Sequence, residues 1–115
     1  DRGNERVAHL YSPHNPAMLK LLRMIMRAGQ RAGVEVSLCG EMAGSPIYTQ
    51  LLLGLGLRKL SMAPKDVPEV KQLIRSTTLA DCQRIARKVL QFDADRQVLN
   101  FLRDEARKVL PPEAF

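Results

Sequence analysis

The sequence predicts an α/β fold of consecutive helix–strand units, and three observations lead there. Amphipathic helical stretches alternate with short β-branched runs in the order helix, strand, helix, strand, helix, the pattern that lays strands parallel under covering helices. Cap-then-proline pairs at Asn15-Pro16 and Ser45-Pro46 start helices, while Gly29, Gly33, Gly54 and Gly56 stop them. Two strands form only a partial sheet, because a two-stranded parallel sheet alone leaves its edges and one face open. The pattern therefore points to the C-terminal portion of a larger barrel or open sheet whose other strands precede Asp1.

Each element has a local reason. Asn15 caps a helix over 16–32 with apolar residues at Met18, Leu22, Ile25 and Met26. Its other face carries Lys20, Arg23, Arg27 and Arg31 at spacings of three and four, which ordinarily makes a solvated cationic side. Val34 to Cys39 alternates as a short strand ending at Cys39-Gly40. Ser45-Pro46 opens a helix that is apolar almost all round from Ile47 to Leu55, as a buried helix requires. Lys59-Leu60-Ser61-Met62 reads as the second strand. Pro64 and Pro68 bracket the start of a helix over 67–75, and Thr77-Thr78 with Asp81 forms a capping-box pattern opening a helix over 79–91. Asp93 caps a last helix through Val98, Leu102 and Val109 toward Pro111-Pro112. With no strand between them, these two helices read as an appended hairpin.

The 115 residues, 45% of them hydrophobic, suit one folded unit or a piece of one. The longest apolar run, Leu51 to Leu57, is far below the roughly 20 residues that cross a bilayer, so no membrane span is expected. Asp1-Arg2-Gly3-Asn4 carries neither an initiator Met nor an apolar signal region. Asp1 accordingly reads as a cut site and the expected location is cytoplasmic. Cys39 and Cys82 stand 43 positions apart, without zinc-ligand spacing, and are expected to be reduced thiols. A net charge of +6 favours anionic partners without choosing among them.

Candidate chemistry follows from position. Active sites of α/β folds lie at the C-terminal ends of strands, where Cys39 stands with Gly40 and Gly44 near it. The glycines would let the backbone approach a ligand, and Ser45-Pro46 would aim a helix N-terminus at an anion. On composition alone a buried structural thiol is the commoner fate of a free cysteine, and Cys82, inside an amphipathic helix, fits that role. His9 and His14 read as surface or local capping groups.

The segment Leu38-Cys39-Gly40-Glu41-Met42-Ala43-Gly44, followed by Leu51 to Leu57 and Leu60-Ser61-Met62, closely resembles the end of the phosphoenolpyruvate-binding barrel of the Enzyme I family of the bacterial phosphotransferase system. So does Asp1-Arg2-Gly3-Asn4 with His9-Leu10-Tyr11. The likeness is strongest at residues 1–4 and 38–62 and fades to a helical pattern after about residue 78. It implies the C-terminal portion of a (β/α)8 barrel over 1–77, with the last two or so strands, and helices over 78–115 belonging to the part through which the family forms homodimers.

The family moves the phosphoryl group of phosphoenolpyruvate to its own histidine and on to the carrier protein HPr, releasing pyruvate with the help of Mg²⁺. Carried over by position, Arg2 matches the arginine that contacts the substrate phosphate, a task suited to a planar guanidinium. Cys39 matches the proton donor to the enolate carbon, a general acid and not a nucleophile. Glu41 is not a metal ligand there, leaving a supporting role or plain solvation. The resemblance puts the metal-binding Glu and Asp, the other phosphate-binding arginines and the phosphorylated histidine upstream of Asp1, so no metal ligand is expected in this chain and it is expected to be inactive alone.

Ser45 stands where the family usually has Asp, and Arg58-Lys59 replaces a commonly acidic pair, a departure that suggests a regulatory rather than a sugar-uptake branch. A pyruvate phosphate dikinase type of enzyme shares a Cys-Gly-Glu turn, but Met42-Ala43 favours Enzyme I. A basic nucleic-acid-binding module lacks support, with two Tyr, three Phe and no recognised motif; a non-catalytic dimerisation piece is the third reading. The isolated chain is expected to be marginally stable or self-associating through open apolar edges, and a stable two-state monomer in sedimentation would overturn this.

Overall fold

Helix α1 (Pro16–Ala32) begins as the capping chemistry dictates: the Asn15 side chain accepts a hydrogen bond from the Ala17 amide at 2.9 Å, with proline in the first turn. This computed structural model describes residues 1 and 3–111. The helix ends on Gly33 in the left-handed conformation, φ 67°. The Val34 amide turns back to the Gly29 carbonyl at 2.9 Å, so it is spent on closing the helix rather than on a sheet. For that reason strand β1 is shorter than the β-branched run suggests and covers only Ser37–Cys39.

Strand β1 pairs in parallel with β2 (Lys59–Ser61), in the register Ser37↔Lys59, Leu38↔Leu60, Cys39↔Ser61. Leu38 and Leu60 lean toward the helices, while Ser37, Cys39, Lys59 and Ser61 face the open side. Between the strands lie a one-turn helix α2 (Glu41–Gly44), which the sequence pattern does not announce, and α3 (Pro46–Gly54). Three further helices follow: α4 (Val67–Ser76), α5 (Leu79–Val89) and α6 (Asp95–Arg107). The architecture is mixed α/β and mostly helical, with two parallel strands among the described residues.

Side-chain caps explain the starts of α1, α5 and α6 and correct two expectations. Thr78 accepts from the Asp81 amide at 3.1 Å, as its pattern indicates. Ser45 makes no side-chain cap bond. The last helix is capped at Ala94, not Asp93, because Gln97 Oε1 reaches back to the amides of both Asp93 and Ala94.

The core forms around α3, whose Leu51 and Leu52 are wholly buried against Ile85, Ala86 and Val89 of α5 and Val98 and Leu102 of α6. Burying each such side chain contributes about 1.5–3 kcal/mol. The helices after residue 78 therefore share one core with α3. A smaller cluster of Leu73, Ala106 and Leu110 joins α4 to α6. Beside it the buried Glu105 carboxylate accepts from both terminal nitrogens of Arg84 at 3.1 Å and from Lys108 at 3.2 Å. The Arg84 bonds hold that carboxyl below the usual carboxylate range.

Helix α1 corrects another expectation. Leu19 and Met26 are buried, but Met18 and Ile25, expected on the core side, are exposed together with Leu21 and Met24. The helix thus carries an apolar face that the described residues leave uncovered. Among those residues no helix is long and apolar enough to cross a membrane.

Helices α3 and α5 approach closely at Gly54, where an added Cβ would sit 2.0 Å from the Cys82 carbonyl oxygen and 2.9 Å from the Ala86 Cβ. Backbone cannot yield as a flexible side chain can. Gly54→Ala should therefore destabilise the fold by about 1–3 kcal/mol, read as a lowered urea midpoint by circular dichroism.

Candidate functional site

Cys39 ends β1 with its side chain exposed on the open face of the sheet, opposite Ser61. It lines a cavity of about 450 Å³ together with Gly40, Glu41, Met42 and Ser45 of the following turn. Tyr11 and Pro13 from the segment before α1 and Tyr48 from α3 complete the wall. The sequence-predicted residues Cys39, Glu41 and Ser45 are thus brought together; Arg2 lies outside the described residues.

Two polar pairs tie the segment before α1 to this turn and to α3. The Tyr11 hydroxyl donates to Glu41 Oε2 at 3.1 Å, bridging 30 residues of sequence. His14 Nδ1 lies 2.8 Å from the Tyr48 hydroxyl, and the two rings stack with centroids 6.1 Å apart. His14 is therefore half-buried and partnered, not a surface group: the buried N-terminal half of α3 carries Tyr48 to it. Burial pushes the imidazole below its ordinary value of 6.5, with Asp95 opposing and Arg103 assisting. Burial likewise pushes the Tyr48 phenol up, Tyr11 adding to the effect. With both groups neutral, the phenol can donate to an unprotonated Nδ1.

The glycine beside the site has a task beyond the one expected. An added Cβ at Gly44 would stand 2.8 Å from Asp66 Oδ2 and 3.2 Å from the Met62 Cβ, so this glycine also serves a close approach to this chain's own side chains. The basic pair that departs from the resemblance also has local partners. Arg58 Nη1 donates to the Leu53 and Leu57 carbonyls at 2.9 and 2.8 Å, closing the end of α3, and Lys59 Nζ lies 2.7 Å from Glu35. Cys82 is buried beside Thr77, its thiol pushed up by burial, consistent with a packing role.

Chemically the site offers an exposed thiol at a strand end beside a carboxylate that is engaged by a phenol, on the rim of an open cavity. That arrangement suits a proton donor to a small polar substrate. Among the described residues no group of three or more His, Cys, Asp or Glu side chains could hold a metal ion. Tyr11, His14 and Tyr48 escaped sequence reasoning because their contacts are non-local; the only signal was the place of Tyr11 in His9-Leu10-Tyr11.

Residues 1–79 match the family model described as PEP-utilising enzyme, PEP-binding domain. The chain is 38% identical over 102 residues to a phosphoenolpyruvate-protein phosphotransferase of Buchnera aphidicola, covering 89% of this chain and 18% of that protein. It is 46% identical over 98 residues to the protein of the same name from Cupriavidus necator, covering 84% and 17%. A protein of Salmonella typhimurium named phosphoenolpyruvate-dependent phosphotransferase system is 45% identical over 91 residues, covering 79% and 12%. The chain therefore spans less than a fifth of the length of these relatives.

The His14–Tyr48 pair makes stability depend on pH. The unfolded chain binds the imidazole proton more readily than the fold does, so protons taken up below the ordinary value of 6.5 favour unfolding. The contribution is complete above that value and is lost as pH falls toward the lowered one. Urea unfolding from about pH 8 to about pH 5 should show this decline, and His14→Gln should flatten it.

Proposed function

Because the chain belongs to the phosphoenolpyruvate-utilising enzymes, matching their phosphoenolpyruvate-binding domain over residues 1–79, we propose that it is part of a phosphoenolpyruvate-protein phosphotransferase in which Cys39 is the proton donor. The observation that carries this reading is the exposed Cys39 at the C-terminal end of a parallel strand, opening on a cavity large enough for a three-carbon phosphoester.

In the proposed step the bridging P–O bond of phosphoenolpyruvate's enol phosphate breaks and its electron pair stays on the bridging oxygen, the C–O bond remaining intact. The phosphoryl group passes to a histidine elsewhere in the same protein and the enolate of pyruvate remains. The Cys39 thiol gives its proton to the methylene carbon of that enolate, yielding pyruvate and a thiolate that regains a proton from water. Arg2 contacts the phosphate oxygens of the substrate. Glu41, held by Tyr11, lines the same cavity and is suited to keeping the turn after Cys39 in place.

The proposal extends to architecture. Among the described residues the sheet has helices on one side only and turns Ser37, Cys39, Lys59 and Ser61 to the other, which supports the last portion of a (β/α)8 barrel whose interior is that second side. The uncovered apolar face of α1 fits neighbours supplied by the rest of the barrel. The helices over 78–115 serve as a dimerisation element, and HPr receives the phosphoryl group, in the cytoplasm. The described residues do not fit the magnesium ion that such an enzyme uses; its ligands belong upstream of Asp1 and none of the steps assigned to this chain runs through it.

Pyruvate release from phosphoenolpyruvate by the full-length protein with HPr and Mg²⁺ tests the reading. Cys39→Ala should lower kcat at least about a hundredfold while phosphoenolpyruvate still binds. Equal turnover by both forms would make the thiol structural. Arg2→Gln should raise KM for phosphoenolpyruvate, by about tenfold or more if a charge-assisted contact to the phosphate is lost.

A further inference from the structure

A second cavity, of about 690 Å³, opens where the C-terminal half of α1 faces the end of α3 and helix α5. Its lining includes four arginines, Arg23 and Arg27 on α1, Arg58 after α3, and Arg87 on α5, and no Asp or Glu. Two of these arginines come from the cationic stripe of the first helix; folding adds the other two from positions remote in sequence. Among the described residues none of the four forms an ion pair with Asp or Glu.

Four like charges around one cavity repel one another, and the repulsion is relieved by an anion bound between them. One detail fits such a ligand. Arg58 is anchored by its bonds to the Leu53 and Leu57 carbonyls, so its position is set before any ligand arrives.

The chemistry selects the ligand class. A guanidinium fork matches tetrahedral phosphate oxygens, and balancing four cations within a small-molecule volume requires several negative charges on one compact group. Met26, Leu55, Ala86 and Leu90 leave an apolar strip in the wall for an uncharged body. No aromatic side chain lines the cavity, so it lacks the stacking surface of a single-stranded nucleic-acid groove.

We propose that this arginine cavity is a binding site for a multiply charged phosphate compound, either an inorganic oligophosphate or a nucleoside polyphosphate. It is separate from the Cys39 cavity: Tyr48, near the start of α3, lines one, and Gly54, at its end, lines the other, roughly 10 Å apart along the helix.

Calorimetric titration of the full-length protein with tripolyphosphate and with adenosine triphosphate tests this. One equivalent should bind. Arg23→Gln and Arg87→Gln should each weaken binding about tenfold or more, and Arg2→Gln should leave it unchanged. Hydrogen exchange on the unaltered protein should slow in peptides covering 23–30 and 83–91 when tripolyphosphate is added, a readout that does not depend on how the variants fold. Tighter binding of the nucleotide would identify a nucleoside polyphosphate as the natural ligand; equal binding would identify the oligophosphate charge alone. Absence of binding at millimolar ligand, loss of binding in Arg2→Gln with the other variants unaffected, or protection confined to the Cys39 turn would each overturn the proposal.

Discussion

Helix α3 is apolar on nearly every side, and the need to bury it governs the rest of the structure. Leu51 and Leu52 have no solvent-facing alternative, so α5 and α6 close over them and the two strands lie against them through Leu38 and Leu60. The approach is tight enough that position 54 must lack a side chain, since the Cys82 carbonyl occupies the space a Cβ would need.

Each end of α3 holds a cavity of different character. At the start, Tyr48 and Ser45 back the turn that carries Cys39, while the Tyr11–Glu41 and Tyr48–His14 pairs bring the preceding segment across it. At the finish, Arg58 is tied to the last carbonyls of the helix and lines a wall of cations. One end presents an exposed thiol at a strand end, the other a lining rich in arginine. Both depend on the same packed cylinder for their geometry.

Charged groups are handled according to burial. Glu105 is nearly enclosed and has a forked arginine and a lysine, so its charge is compensated where removing one partner would leave it exposed to the apolar cluster of Leu73 and Leu110. Lys59 and Glu35 pair in full solvent, where the gain is small and screened. The arginine cavity gathers Arg23, Arg27, Arg58 and Arg87 with no Asp or Glu in its lining.

The amino-acid order by itself determined the starts of α1 and α5, the αβ alternation and the place of Cys39 at a strand end. Those features are local: a cap, a proline or a glycine acts within a turn of itself, and Asn15-Pro16 or Thr78 with Asp81 needs no distant partner. It also carried the family likeness, because residues 38–62 keep their motifs contiguous. Tertiary structure decided what depends on separated segments meeting. It shortened β1 by spending the Val34 amide on the helix end, turned Met18 and Ile25 outward, and gave Gly44 to Met62 and Asp66. It joined His14 to Tyr48 across 34 residues and assembled Arg58 and Arg87 beside Arg23 and Arg27. Periodicity marks which face of a helix is apolar, but which neighbour covers that face, and which charges end up sharing a cavity, is settled only when the core around α3 closes.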